Sequence, residues 1–155
     1  RNIVAKEKEF SAYNYLFIAF SGEEMGLLGS AYYTKNIPDD VRNMAYMINL
    51  DMIGRMQENM VAINGFGTSP IWEKVIQEEG CNQLRIKTGN SGVGPSDHTS
   101  FYYLEMPVLH FFTGTHKDYH KPTDIAEKFQ PAKYYLFRMF VKTFFFHQML
   151  FLHIF

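Results

Sequence analysis

Short apolar runs, each closed by glycine or a polar turn, alternate along this chain with segments of helical spacing, and that alternation sets the fold class before any single residue is considered. "YLFIAF" (15–20) comes first and runs into Ser21-Gly22, so it reads as a buried strand ending in a turn. "MAYMINLDMIG" (44–54), "NMVAINGFG" (59–67), "LRIKTG" (84–89) and "PVLHFFTG" (107–114) read as four more strands. Between them "GLLGSAYYTKN" reads as a helix, Ser69 is the N-cap candidate of a helix running to Gly80, and Ser96 that of a helix through about Glu105. From Gln130 onward the periodicity is that of a long closing helix. Strands alternating with helices predict an α/β three-layer sandwich, a mixed and largely parallel sheet flanked by helices. No repeat or low-complexity linker divides the chain, so residues 1–155 read as a single domain.

Composition narrows the function classes. At 155 residues and 46% hydrophobic the chain can bury a real core. Lys plus Arg total 15 against 16 for Asp plus Glu, and no dense basic run is present, which argues against nucleic acid as a partner. Cys81 is the only cysteine, so it makes no intrachain disulfide, and any metal must be held by carboxylates and the six histidines. No uninterrupted apolar run of about 18 residues suggests a membrane span. The nearest, "FVKTFFFHQMLFLHIF", is broken by Lys142, His147, Gln148 and His153 and reads as a helix packed on a sheet.

In open α/β sheets ligands bind beyond the carboxyl ends of the strands. Three suggestive pieces are expected there: Glu23 and Glu24 after the first strand, Asp51 near the end of the second, and "TGTHKDYHKPTD" (113–124) after the last. Adjacent carboxylates repel, whereas a cation can take one as a ligand and leave the other to move a proton. The blander reading is a pair of acids favoured by a helix N-terminus. Asp51 inside an apolar run either meets a cation or caps local backbone, since burying it unpaired is costly. His120 and His116 lie between a strand end and Pro122, in a segment that reads as a loop, so only one of them need reach a metal.

Taken together and in order, "FSGEEMGLLGS", "NLDMIG", "SDHTSF" and "YHKPTD" resemble the co-catalytic zinc aminopeptidases, a superfamily that also holds glutamate carboxypeptidases, glutaminyl cyclases and transferrin-receptor ectodomains. The resemblance covers roughly residues 15 to 127. It implies that Glu23 is the general base, that Glu24 and His120 bind one zinc, and that Asp51 binds the other. His116 is then a rim residue. Tyr119 either hydrogen-bonds the tetrahedral oxyanion or simply packs. Ser96 and Asp97 border the substrate pocket, unless Ser96 is only a helix cap, and Gly92 and Gly94 suggest a mobile loop before them. His110, inside a strand, reads as a satisfied core histidine, while His98, His147 and His153 carry no strong ligand case.

The family pattern needs two further ligands upstream of the Glu pair, a His on an early strand and an Asp that bridges two zinc ions. Residues 1–14 contain neither type, and "RNIVAKEKEF" has no initiator Met and no signal-like pattern. The expectation is therefore the C-terminal part of a catalytic domain, incomplete on its N-terminal side and inactive alone, whose missing upstream segment supplies that His and Asp. For the complete protein the resemblance implies two zinc ions, a peptide substrate, no membrane span, and an extracellular or periplasmic location. The first reading is an aminopeptidase; a glutaminyl-peptide cyclotransferase and a non-catalytic receptor-like relative are the alternatives.

Overall fold

In the computed structural model of the chain, residues 14–39, 42–78 and 83–152 are described, with side chains through Val141. Cys81, His147 and His153 lie outside the described side chains. Four strands, β1 (Met47–Asp51), β2 (Met60–Asn64), β3 (Arg85–Gly89) and β4 (Val108–Phe112), form one sheet in the order β1-β4-β2-β3. β1 runs parallel to β4 and β2 parallel to β3, while β2 and β4 are antiparallel. The sheet is thus mixed and mostly parallel, as the alternation of elements predicts. Helices α1 (Leu28–Lys35), α2 (Ile71–Glu78), α3 (His98–Tyr102) and α4 (Pro131–Leu152) flank it.

The two faces of the sheet do different work because side chains alternate along each strand. Val61 and Ile63 of β2 and Leu109 and Phe111 of β4 point to one face, where they form the core with Trp72, Val75 and Ile76 of α2 and Phe137 and Phe140 of α4. Trp72, Val75 and Ile76 recur at helical spacing with exposed Glu73 and Lys74 between them, so α2 is held by its apolar stripe. On the opposite face His110 of β4 meets α3, whose His98 stacks on it with ring centroids 4.4 Å apart. There α1 and α3 join through a buried contact of 2.9 Å between the Ser30 and Ser100 hydroxyls. None of the described helices is long and apolar enough to cross a membrane.

Two expectations are corrected. Residues 15–20 make no ladder among the described residues, and Leu16 and Phe17 are exposed at 51% and 64% rather than buried. A strand exists only through a hydrogen-bonding neighbour, and apolar content alone does not supply one. At the end of the run the Phe20 ring packs 5.9 Å from Tyr33 and from Phe101. The helix expected from Ser96 to Glu105 is also shorter, and Asp97, not Ser96, precedes its first residue, with no side-chain cap. The Ser96 hydroxyl is engaged elsewhere. Ser69, by contrast, does accept the Ile71 N–H at 3.4 Å near the start of α2.

Candidate active site

Glu23 and Glu24 sit on a single 3-10 turn, Glu23–Met25, entered through Gly22 and left through Gly26, both with positive φ. The tight turn, rather than the pleat of a strand, separates the two side chains. Gly22 can take φ +67 because it has no Cβ. From this turn Glu24 Oε1 lies 2.6 Å from His120 Nε2, a contact between residues 96 apart in sequence. His120 itself has φ +56, and the Tyr119 ring stacks on it at 3.8 Å. Both partners are open to solvent, Glu24 at 66% and His120 at 53% of their side chains.

Asp51 closes β1 beside this pair. Asn49 and Asp51, two residues apart on one strand, share a face, and the register puts Asn49 opposite His110 of β4. Ser96 Oγ donates to Asp51 Oδ2 at 3.4 Å and accepts from Asn49 Nδ2 at 2.7 Å. His110 Nε2 stands 3.6 Å from the same Asp51 oxygen. His110 and Ser96 hold the Asp51 carboxyl below its ordinary range against the opposing effect of burial. Both named contacts fall on Oδ2.

Glu23 belongs to the same cluster electrostatically. Burial first, then the charges of Glu24, Asp51 and Asp97, raise its pKa, with the nearby Ser96 hydroxyl opposing them. Tyr119 is raised as well, by desolvation and then by Glu24, Asp51 and Glu23. The groups expected at the carboxyl ends of the strands are therefore close enough to feel one another. A carboxylate and an imidazole already in contact suit zinc, since two ligands at ~2.0–2.2 Å from one tetrahedral ion lie only roughly 3–3.5 Å apart. No group of three or more metal-ligating side chains is assembled among the described residues. A hollow of about 380 Å³ opens at the other end of the sheet, beside Met44 and Pro107.

Of the remaining residues singled out in the sequence, Ser96 and Asp97 are buried under Glu23 and Asp51, at 3% and 8% exposure. His116 is not a rim residue. Its ring is buried, with Nε2 3.5 Å from Asp124 Oδ2, because the chain folds back at Pro122 and brings that carboxylate to it. The glycine loop before α3 is tied down: Gly94 accepts from Thr99 Oγ1 at 2.6 Å, and Gly92 is packed so closely on the Tyr102 ring that a Cβ there would overlap it. His110 is buried as a core residue would be, yet neither ring nitrogen makes a hydrogen bond, and Nε2 stands 3.6 Å from Asp51. The period-two spacing from Asn49 to Asp51 was the available signal for Asn49; nothing in the sequence pointed to His110. Arg55, Asp118 and Asp124 were missed because their partners come together only in the folded loops.

Comparison with known proteins follows this geometry. The chain is 29% identical over 125 residues to Aminopeptidase YwaD of Bacillus subtilis, a match taking in 72% of this chain and 27% of that protein. Its fold resembles that of a zinc aminopeptidase from Bacillus subtilis, with a TM-score of 0.65 at 24% identity over 84% of this chain and 34% of the other. It also resembles the LapA aminopeptidase of Legionella pneumophila, with a TM-score of 0.65 at 18% identity over 83% and 37% of the two chains. The chain thus spans about a quarter of the curated relative's length. The model of peptidase family M28 matches residues 2–144, nearly the whole chain, and the protein belongs to that family.

Proposed function

We propose that these residues form part of a zinc-dependent aminopeptidase, with Glu23 as general base, Glu24 and His120 as ligands of one ion and Asp51 as ligand of a second. The observation that carries the reading is the 2.6 Å approach of Glu24 to His120 across 96 residues of sequence, at an exposed site where an ordinary ion pair contributes little to stability. Membership of family M28 and the aminopeptidase names of its relatives support the same conclusion.

Zinc, when bound, supplies a Lewis acid that polarises the scissile carbonyl and makes water acidic enough to ionise near pH 7. Glu23, its pKa raised by burial and by its acidic neighbours, takes a proton from the attacking water and returns it to the leaving amine. Because it stands beside Glu24 on the same turn, it stays close without competing as a ligand. Tyr119, whose ring stacks on His120, donates a hydrogen bond from its phenol to the developing oxyanion. Ser96 and Asp97 make the floor beneath Glu23 and Asp51, the part of the substrate pocket wall that this chain supplies.

A His and a bridging Asp from outside the 155 residues complete the two-ion set in this reading, and the small share of the relatives' length that the chain covers is consistent with it. Peptides are the substrate class, and action outside the cytoplasm is the location that goes with the resemblance. The test is release of N-terminal residues from aminoacyl anilides by the whole protein, before and after chelation, beside a glutaminyl peptide. Zinc-dependent hydrolysis is expected. Cyclisation without hydrolysis would move the assignment to a cyclotransferase, and activity indifferent to the chelator would remove both readings.

A further inference from the structure

Asp51 and His120 stand on different segments at one end of the sheet, and a site shared between segments is only as fixed as they are relative to one another. Both carry backbone strain, since Met52, directly after Asp51, has φ +56 and so does His120. Non-glycine residues in this region cost about 1–3 kcal/mol each and persist only where the surroundings hold them. What holds them is a set of charges that the proposed reaction does not use. Arg55, in the turn after β1, donates through Nη1 to Asp124 Oδ1 at 2.7 Å and through Nη2 to Asp118 Oδ2 at 2.8 Å. The two carboxylates bracket His120 in sequence, so one planar fork grips its loop on both sides.

The far side of the loop is braced as well. Asp118 is buried, and its other oxygen accepts from Lys128 Nζ and Thr123 Oγ1, each at 2.8 Å. Backbone contacts run the same way: Thr113 Oγ1 donates to the Met52 carbonyl, and the Gln130 N–H to the Gly54 carbonyl at 3.0 Å. Buried ion pairs are weak evidence for stability, because desolvation offsets most of their attraction. A bidentate fork reaching two separate carboxylates instead supplies direction.

We propose that Arg55 is a positioning residue that locks the His120 loop to the β1 turn, so that His120 is held beside Glu24, within reach of one shared ion. This rests on the metal reading of those two residues. In the whole protein, Arg55→Met and Arg55→Lys are expected to weaken zinc binding by roughly 10–100-fold, the usual range for partners one step removed from a metal. Lysine should not rescue, since an ammonium reaches only one of the two carboxylates. At a temperature where circular dichroism shows the zinc-free variants fully folded, kcat should still recover only in excess zinc while KM stays unchanged, an outcome that loss of stability alone would not give. Asp124→Asn, at a carboxylate 39% exposed, should give a smaller loss in the same direction and decides the matter if the Arg55 variants fail to fold. Wild-type zinc affinity in a folded Arg55→Met, Arg55→Lys or Asp124→Asn protein would overturn the clamp and leave the metal reading standing. A wild-type protein that binds no zinc would overturn the metal reading, and the clamp with it.

Discussion

At the scale of single residues, the two neighbouring glutamates are set apart by their surroundings. Glu23 is half-buried with its pKa pushed up, whereas Glu24 is exposed and touches His120. Glu23→Gln should therefore keep zinc and lose about 10²–10⁴ in rate, the usual contribution of a general base, while Glu24→Gln should lose the metal itself. Elemental analysis beside the rate separates these outcomes, and equal zinc loss in both variants would reverse the assignment. His98 makes a second case. Burial, then His110, depress its pKa from 6.5 to about 4 against the opposing pull of Asp51. Between those values the unfolded chain binds a proton that the folded one refuses, so stability falls as pH drops from about 6.5 to 4 and levels off below. His98→Gln cannot charge and should flatten that slope. Urea midpoints at pH 7 and 4.5, taken in chelator, would show it; an equal fall in both proteins would mean another group titrates.

The elements themselves meet at a few close approaches, and one of them can be tested against a control. Gly65 has φ +86 where the chain leaves β2, and a Cβ there would fall on the Val108 carbonyl oxygen at the start of β4. Thr68 pins the same turn, accepting the Val108 N–H at 3.0 Å and the Trp72 indole N–H at 3.1 Å, so the backbone has little room to shift. Gly114 has φ +88 with nothing within 4 Å of an added Cβ. Gly114→Ala should cost about 1–2 kcal/mol from the left-handed backbone alone, and Gly65→Ala clearly more. Matching urea midpoints would show that the Val108 contact does not matter. Elements of this kind were legible where burial is periodic, as in α2 through Trp72, Val75 and Ile76, or in β2, where buried Val61 and Ile63 alternate with half-buried neighbours. The run at 15–20 misled because apolar letters carry no information about a neighbouring strand. Ser96 misled because a hydroxyl before a helix has the same letter whether it caps the backbone or serves Asp51. That Glu24 and His120 come together was legible through their motifs, whereas the Arg55 fork joins residues 63 and 69 apart, and no local pattern announces a partner so distant.

For the molecule as a whole, the sheet order β1-β4-β2-β3 gathers two proposed catalytic groups and three proposed ligands at one end but does not enclose them. Glu24 and His120 make one contact, Asp51 stands apart with its inner oxygen facing Ser96 and His110, and no third ligating side chain joins either among the described residues. Catalytic zinc ordinarily takes about three protein ligands per ion, and two negative ligands without a bridging group between their ions repel each other. Water also has free access, because the Glu24 and His120 side chains are more than half exposed. The 155-residue chain on its own is therefore expected to fold around the α2–α4 core, which lies on the other face of the sheet, yet to bind zinc weakly and to be essentially inactive on aminoacyl anilides. The measurement is zinc content after gel filtration in metal-free buffer, alongside urea unfolding with and without added zinc. Weak sites should empty on the column, and zinc should raise the unfolding midpoint only at concentrations near its dissociation constant, as mass action requires. Two equivalents of zinc retained through the column, with activity, would show that these residues complete a two-ion centre unaided, and the need for ligands from outside them would have to be abandoned.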